Sequence, residues 1–257
     1  ITLRALRILK EVEVIAAEDT RQTGILLKHF EIKTRQISYH KFNENARVHT
    51  LLDILRNGKD VAIVSDAGSP GISDPAQIIV KAAIEASVPV CALPGATALI
   101  PALTASGFTS GTFCFYGFLP TKRSLRTKLL HEIQHLHHTS VIYETCPKLY
   151  NTLSDILSIC GNRTITIARE ISKLYEEYTR SDIESILQNR SITLKGELVL
   201  VIGAATDTET PDIDCDELIS QRLAAGDKVS DILEQLVHVC NMNKNEAYQR
   251  ILEQKKR

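Results

Sequence analysis

Apolar positions recur along this chain with two periods, and the switches between them predict alternating helices and strands. Leu3, Leu6 and Leu9 fall at helical spacing over 1–10, and the run 12–17 reads as a strand ending at Glu18, Asp19, Thr20 and Arg21. A helix follows through Leu26, Leu27 and Phe30, then a short strand at 37–39, then a helix stopped by Asn57-Gly58. Strand 60–65, helix 75–86, strand 88–92 and helix 97–106 complete the first half. After a strand at 113–116 the pattern restarts: helix 122–136, strand 140–144, helix 147–159, strand 164–169, helix 181–188 and strand 197–202. Such alternation predicts an α/β fold with mainly parallel sheets covered on both faces. We divide the chain into an α/β domain over 1–114, a second over 115–205, and a linker with a helical tail over 206–257. The stretch 205–216, rich in Thr, Asp, Glu and Pro, reads as solvated linker, and 216–257 as two or three short helices ending in Lys255, Lys256 and Arg257.

Composition removes several classes of function. With 44% hydrophobic and 24% charged residues the chain can build cores and does not read as disordered. Its net charge of −1 means that any nucleic-acid contact must come from a local patch. Six cysteines, at 91, 114, 146, 160, 215 and 240, lie far apart with no CxxC, which points to reduced thiols and a cytoplasmic protein. No charge occurs anywhere in 86–121, a length that could span a membrane. Pro89, Pro94, Pro101 and Pro120, with Gly95, Gly107, Gly111 and Gly117, break every continuous helix there, so buried strands and a buried helix are expected instead.

The chemistry concentrates in loops. The stretch 65–75, SDAGSPGISDP, follows an apolar strand and holds two Gly, two Pro, two Asp and three Ser without a Lys or Arg. A second small-residue loop, Pro94-Gly95-Ala96-Thr97, follows the next predicted strand. Loops of this kind at the carboxyl ends of parallel strands are where open α/β sheets bind ligands. The phosphate loops GxGxxG and GxxxxGK[ST] are both absent. A parallel domain that opens on a helix lacks the strand that should precede it, so an upstream strand with a glycine-bearing loop is expected.

Seven motifs carry a family resemblance: AAEDTR at 16–21, ISYH at 37–40, SDAGSPGISDP at 65–75, PGA at 94–96, FYGFLP at 115–120, YE at 143–144 and ARE at 168–170. In that order they resemble the bacterial small-subunit rRNA methyltransferases of the tetrapyrrole-methylase superfamily, over nearly the whole chain. The resemblance implies two α/β domains with the cofactor in the cleft between them, and a homodimer. It implies 2′-O-methylation of a cytidine in the decoding region of 16S rRNA, with S-adenosylmethionine as donor. It places at the cofactor Asp66, Gly68, Ser69, Pro70, Pro94, Gly95, Ala96, Thr97, Tyr143, Glu144, Ala168, Gly196, Glu197 and Leu198. Members usually carry a strand and a Thr-Pro-Ile-Gly-Asn-Leu-type loop directly before the position of Ile1.

The residues themselves add the following. Gly68, Ser69 and Gly71 permit close backbone approach, and Asp66 suits a cation or a hydroxyl, or simply caps a turn. Glu18, Asp19 and His40, at presumed strand ends, are the candidate bases, and no single one is selected. Arg21 can hold a phosphate or pair with Asp19. Lys122, Arg123, Arg126 and Lys128 form a cluster uninterrupted by acid until Glu132, suited to RNA phosphates. Tyr39, Phe42 and Phe118 are candidates to stack an unpaired base. His131, His135 and His138 fall on one face if a single helix carries them, but no acid or Cys completes a metal shell, and no metal is expected. Two other readings remain: a tetrapyrrole or corrin methylase, against which the basic cluster argues, and a non-catalytic RNA-binding module, which leaves the uncharged loops without a purpose.

Overall fold

The computed structural model describes residues 1–205, 215–224, 227, 229, 232, 233, 236 and 243–255. The chain divides into two compact units, Ile1–Ala205 and Thr206–Arg257. Most of the linker expected at 205–216, and Lys256 and Arg257, lie outside the described residues.

In the first unit the chain runs α1 (Leu3–Glu11), β1 (Val14–Ala17), α2 (Thr20–His29), β2 (Gln36–Ser38), α3 (Glu44–Arg56), β3 (Val61–Val64), α4 (Gln77–Glu85) and α5 (Leu99–Ser106). It continues through β4 (Phe113–Phe118), α6 (Arg123–Gln134), β5 (Thr139–Thr145), α7 (Leu149–Cys160), β6 (Thr164–Arg169), β7 (Glu177–Asp182), α8 (Ile183–Asn189) and β8 (Glu197–Ile202). Among the described residues the strands form two sheets, of order β2-β1-β3 and β4-β5-β8-β6-β7.

The first sheet is parallel throughout. Its apolar strand β1 is buried along its whole length, as a strand covered on both faces must be. Polar residues set the helix starts that surround it. The Thr2 hydroxyl accepts from Ala5 N at 3.2 Å, and Asp19 accepts from Arg21 N at 2.8 Å, each satisfying an otherwise unpaired first-turn donor.

The second sheet departs from the expectation of a mainly parallel arrangement. β4 and β5 are parallel, but β8 pairs antiparallel with both β5 and β6, and β6 with β7. The reason is local: residues 170–176 are too few for a parallel crossover, so β7 folds back on β6. β7 escapes the apolar pattern because EYTRSD is a polar edge strand, paired on one side alone. Its neighbours are densely packed. Ile142, Leu153, Ile156, Ile165, Ile183 and Leu200 join one core beneath α6, α7 and α8, while Val141, Ala168 and Val201 pack with α5 on the other face.

Arg163 ties the far end of this sheet together. Its guanidinium is buried and donates to the carbonyls of Gln134, Cys160 and Gly203, the first two being the last residues of α6 and α7. Cations suit helix C-termini, where carbonyls lack partners.

Two further expectations are corrected. The strand at 88–92 does not form. Pro89 has no N–H to give a ladder, and a cavity of about 480 Å³ separates the segment from the edge of β3. The three-histidine face does not exist either, because α6 ends at Gln134, leaving His135 as its cap and His138 beyond it. In the second unit α9 (Cys215–Ala224) and α10 (Lys244–Gln254) are described, with Ile219, Ile232, Leu236, Ala247 and Ile251 forming its own core.

Candidate active site

The carboxyl ends of β1 and β3 bring acids together from separate motifs. Glu18 Oε2 accepts from Asp66 N at 3.2 Å, and Asp66 Oδ1 accepts from Asp19 N at 3.2 Å, so the two strand ends are laced to each other. Asp19 is also gripped by Arg21, whose Nη2 lies 2.7 Å from Oδ2. That side-chain bond, with the Arg21 backbone N–H, holds the Asp19 carboxyl down at about 2. Asp74, at the other end of the 65–75 loop, moves the opposite way. Burial, then the charges of Glu18 and Asp66, push it up to about 6. Asp74 was not among the sequence-derived bases, and no sequence signal marks it. Its displacement depends on burial first, and then on carboxylates delivered by β1 and β3.

The 65–75 loop is braced on both sides. Ser69 Oγ donates to Ala96 O at 3.1 Å, joining it to the 94–97 loop. On the other side Ser73 lies against Gly117 of β4, where a Cβ would stand 2.8 Å from Ser73 Oγ; Gly117 also has φ +61°. No other residue type satisfies both demands at that point. The loop therefore bridges the first sheet to the edge of the second. Asp66, Gly68, Pro70, Pro94, Gly95 and Ala96 are exposed along it and its neighbour, with Ser69 and Thr97 half-buried.

The second sheet places its expected residues on different faces. Tyr143 is half-buried and meets Phe115 and Phe118 edge-on, with ring centroids 4.8 and 5.6 Å apart. Ala168 is on that same face, fully buried against α5. Glu144 points the other way, as alternation along β5 requires. Its carboxylate is 5% exposed and accepts from Thr152 Oγ1 and Thr145 N, both at 2.6 Å. Leu198 shares that opposite face, in the core beneath α7. At the start of β8, Glu170 Oε1 accepts from Glu197 N and from Lys173 Nζ, both at 2.9 Å, and Lys173 reaches Glu197 at 3.1 Å. Lys173 foremost keeps the Glu170 carboxyl below the usual carboxylate range. A Cβ at Gly196, where φ is +97°, would overlap the Glu170 carboxylate.

The remaining candidates separate into engaged and free groups. His40 is half-buried, and its Nδ1 accepts from Phe42 N at 3.2 Å within the turn that precedes α3. Tyr39 is a core residue, 1% exposed, and so is not available to stack a base. Phe42 is 94% exposed, and Phe118 is also at the surface. Arg126 is committed to Asp155 at 2.7 Å and to the carbonyls of Pro120 and Thr121. Lys122, Arg123 and Lys128 are exposed and make no ion pair among the described residues. Among the described residues no group of three or more His, Cys, Asp or Glu is placed to hold a metal, and no helix is long and apolar enough to cross a membrane.

The 65–75 loop leaves the parallel sheet, touches the 94–97 loop and abuts the edge of the mixed second sheet. Residues 1–187 match the family model "Tetrapyrrole (Corrin/Porphyrin) Methylases", and the chain belongs to that family of methyltransferases. Among curated proteins it is 42% identical over 253 residues to "Ribosomal RNA small subunit methyltransferase I" of Streptococcus pyogenes, covering 96% of this chain and 88% of that protein. The protein of the same name from Synechocystis sp. is 42% identical over 257 residues, covering 98% and 92%. Among solved structures, uroporphyrin-III C-methyltransferase from Thermus thermophilus, complexed with S-adenyl homocysteine, aligns with TM-score 0.54 at 18% identity, covering 79% of this chain and 90% of that one. A cobalt precorrin-4 methyltransferase of cobalamin biosynthesis aligns with TM-score 0.56 at 15% identity, covering 79% and 88%.

Proposed function

We propose that this methyltransferase transfers a methyl group from S-adenosylmethionine to the ribose 2′-hydroxyl of a cytidine in the decoding region of 16S rRNA, acting on the small ribosomal subunit in the cytoplasm as a homodimer. The observation that carries this reading is the contrast at the loop 65–75. Acids gather on its first-sheet side, while three cations with no ion pair among the described residues follow β4 on its second-sheet side. Glu18, Asp66 and Asp74, with no Lys or Arg in 65–75 or 94–97, favour a cationic donor. Lys122, Arg123 and Lys128 favour a phosphate backbone. The domain limits proposed here are 1–114 and 115–205, with the boundary falling inside β4.

The residues present fit this donor. When bound, S-adenosylmethionine supplies an electrophilic methyl carbon on a positively charged sulfur. The 65–75 and 94–97 loops give it close backbone contact through Gly68, Ser69, Pro70 and the 94–97 residues, and Asp66 offers a counter-charge. Tyr143 and the Gly196–Glu197 backbone supply the wall from the second sheet, while Ala168 and Leu198 are buried and back it from within the packing. Glu144 contributes by holding Thr145 and Thr152 rather than by touching ligand. Fixing donor and hydroxyl in line supplies roughly 7–11 kcal/mol of the barrier reduction in favourable cases.

A 2′-hydroxyl is a weak acid, so a base that takes its proton adds about 10²–10⁴-fold. Asp74 suits the task best. A carboxyl near 6 is largely ionised at neutral pH and binds a proton far better than Asp19, held near 2. It also follows Ser73, which lies against β4, on the side of the cations. Glu18 and Asp66 sustain its raised affinity, Arg21 becomes a phosphate contact by exchanging Asp19, and His40 shapes the turn that presents Phe42 for stacking. The test is methyl incorporation from labelled donor into 30S subunits, into protein-free 16S rRNA, and into a uroporphyrinogen-type acceptor. Labelling of a cytidine 2′-oxygen in 30S subunits is expected. Labelling of the porphyrinoid alone would overturn the proposal.

A further inference from the structure

The turn that leaves β2 holds an aromatic ring out in water. β2 is parallel to β1 with Ser38 opposite Ala17, and Tyr39 N donates to Ala17 O at 2.7 Å. The chain therefore quits the sheet at the end where Glu18, Asp19 and Arg21 leave β1. Hydrogen bonds fix the turn that follows. Asn43 Oδ1 accepts from His40 N at 2.8 Å, Asn43 Nδ2 donates to Ser38 O at 3.2 Å, and His40 O accepts from Asn43 N and Glu44 N, both at 2.9 Å. With Phe42 N donating to His40 Nδ1, the backbone is held on both sides of the ring. Tyr39 anchors the turn in the core, yet Phe42 at its tip is 94% exposed and meets His40 edge-on, with ring centroids 6.0 Å apart. The faces of the Phe42 ring are left open.

The surroundings select the partner. Between Glu31 and Asp53 the chain carries Lys33, Arg35, Lys41 and Arg47 against the single acid Glu44, a local excess of positive charge in a protein of net charge −1. Lys41, in the turn, and Arg47, in the first turn of α3, are exposed and make no ion pair among the described residues, and Glu44 is half-buried. Protein interfaces seat their aromatics in patches depleted of charge. Phe42 is instead, among the described residues, the one large apolar side chain exposed between Leu26 and Ile72. A fixed ring with open faces and cations beside it suits single-stranded nucleic acid, whose bases stack while its phosphates meet the charges. The sheet order β2-β1-β3 sets this turn two strand spacings, about 10 Å, from the 65–75 loop at the end of β3. A base on Phe42 therefore belongs to a neighbour of the nucleotide held at that loop. We propose that Phe42 stacks on an unpaired RNA nucleotide flanking the one that is methylated, with Lys41 and Arg47 on the adjoining phosphates; the methylated nucleotide itself rests on the proposed function.

The chain has no Trp, so Phe42→Trp places a single fluorescent indole at the tip of the turn. The full chain carrying it is titrated with a short single-stranded oligoribonucleotide, with the same sequence as a duplex, and with inorganic polyphosphate. Quenching by the single strand and little by the other two is expected. No quenching by the single strand, or equal quenching by duplex or polyphosphate, would overturn the proposal. In the chain without the reporter, Phe42→Ala should weaken single-strand binding at least about fivefold, with Phe42→Tyr retaining it and Phe42→Leu not. Lys41→Ala should lower the salt slope of that binding by about 1. In methyl transfer to 30S subunits the Phe42→Ala loss is expected in KM more than in kcat. Equal affinity of the Ala, Leu and Tyr variants for the single strand would also overturn the stack. The two claims fail separately. Quenching without methylation of a cytidine in 30S subunits by the unsubstituted chain keeps the stacking site and removes the proposed reaction, whereas methylation without quenching does the reverse.

Discussion

The two sheets of the first unit solve opposite problems. The first has three short parallel strands, loops crowded with acids at one end, and an edge that opens onto a cavity. The second has five strands, antiparallel pairing through its centre, and buried Leu and Ile on the face beneath three helices. The proposed site loop 65–75 leaves the sheet of three short strands, and the longer ladder belongs to the second sheet. The contact of Ser73 with Gly117 then transfers the position of one to the other.

The sharpest way to break this comparison is at Asp74. Asp74→Asn should lower kcat by about 10²–10⁴-fold and remove the acidic limb of the pH–rate profile near 6, with the fold intact. Asp19→Asn should leave that limb in place. A normal rate in the Asp74 variant would return the base to Glu18 or His40. The same substitution tests stability. The folded proton affinity of Asp74 is raised, so the folded state binds more protons than the unfolded chain between about pH 4 and 6. Stability therefore falls as pH rises through that window, and Asp74→Asn should flatten the fall in a series of thermal melts.

Packing gives the next largest effect. Leu153→Ala, in the fully buried core under the second sheet, should cost about 2–5 kcal/mol in urea unfolding. Leu52→Ala in the first core should cost less, because Leu52 is less completely buried. Equal losses would erase the contrast between the sheets. Thr152→Val should cost about 1–3 kcal/mol, since the buried Glu144 carboxylate loses a 2.6 Å donor. If it is neutral, Glu144 is not held as described.

Smaller effects concern the surface. Replacing Lys122, Arg123 and Lys128 together by Ala should weaken binding to 30S subunits and reduce the steepness of its salt dependence by roughly 2–3, whereas Arg126→Ala should act through stability. Smallest is the cap of α8. Asp182 is held at about 2 by Ser185, so its stabilisation is present at neutral pH and lost as pH falls from about 4 toward 2. Asp182→Ala should lower the melting temperature at pH 7 and have little effect near pH 2.

Much of this was legible in the chain. Apolar runs marked β1, β3, β5, β6 and β8, and the loops 65–75 and 94–97 stood out as ligand loops that do meet, through Ser69 and Ala96. Strand direction was not legible, because the pattern along β8 is the same whichever way its neighbours run. β7 was hidden by its polar sequence, and the expected strand at 88–92 lacks a neighbour to bond. The Tyr143–Glu144 pair reads as one motif, yet strand geometry sends its members to opposite faces. Asp74 could not be singled out, since its proton affinity is raised first by burial in the folded chain and then by the carboxylates of Glu18 and Asp66 that the fold brings near.

Arg163 carries a consequence for how the molecule comes apart. One guanidinium serves the last carbonyls of α6 and α7 and that of Gly203, just past β8. None of the three can be released without leaving a buried cation short of acceptors, so each depends on the other two. Fraying at any one of these ends is thereby coupled to the rest. The far edge of the second sheet should open in a single cooperative event, with amides at all three ends exchanging at a common rate.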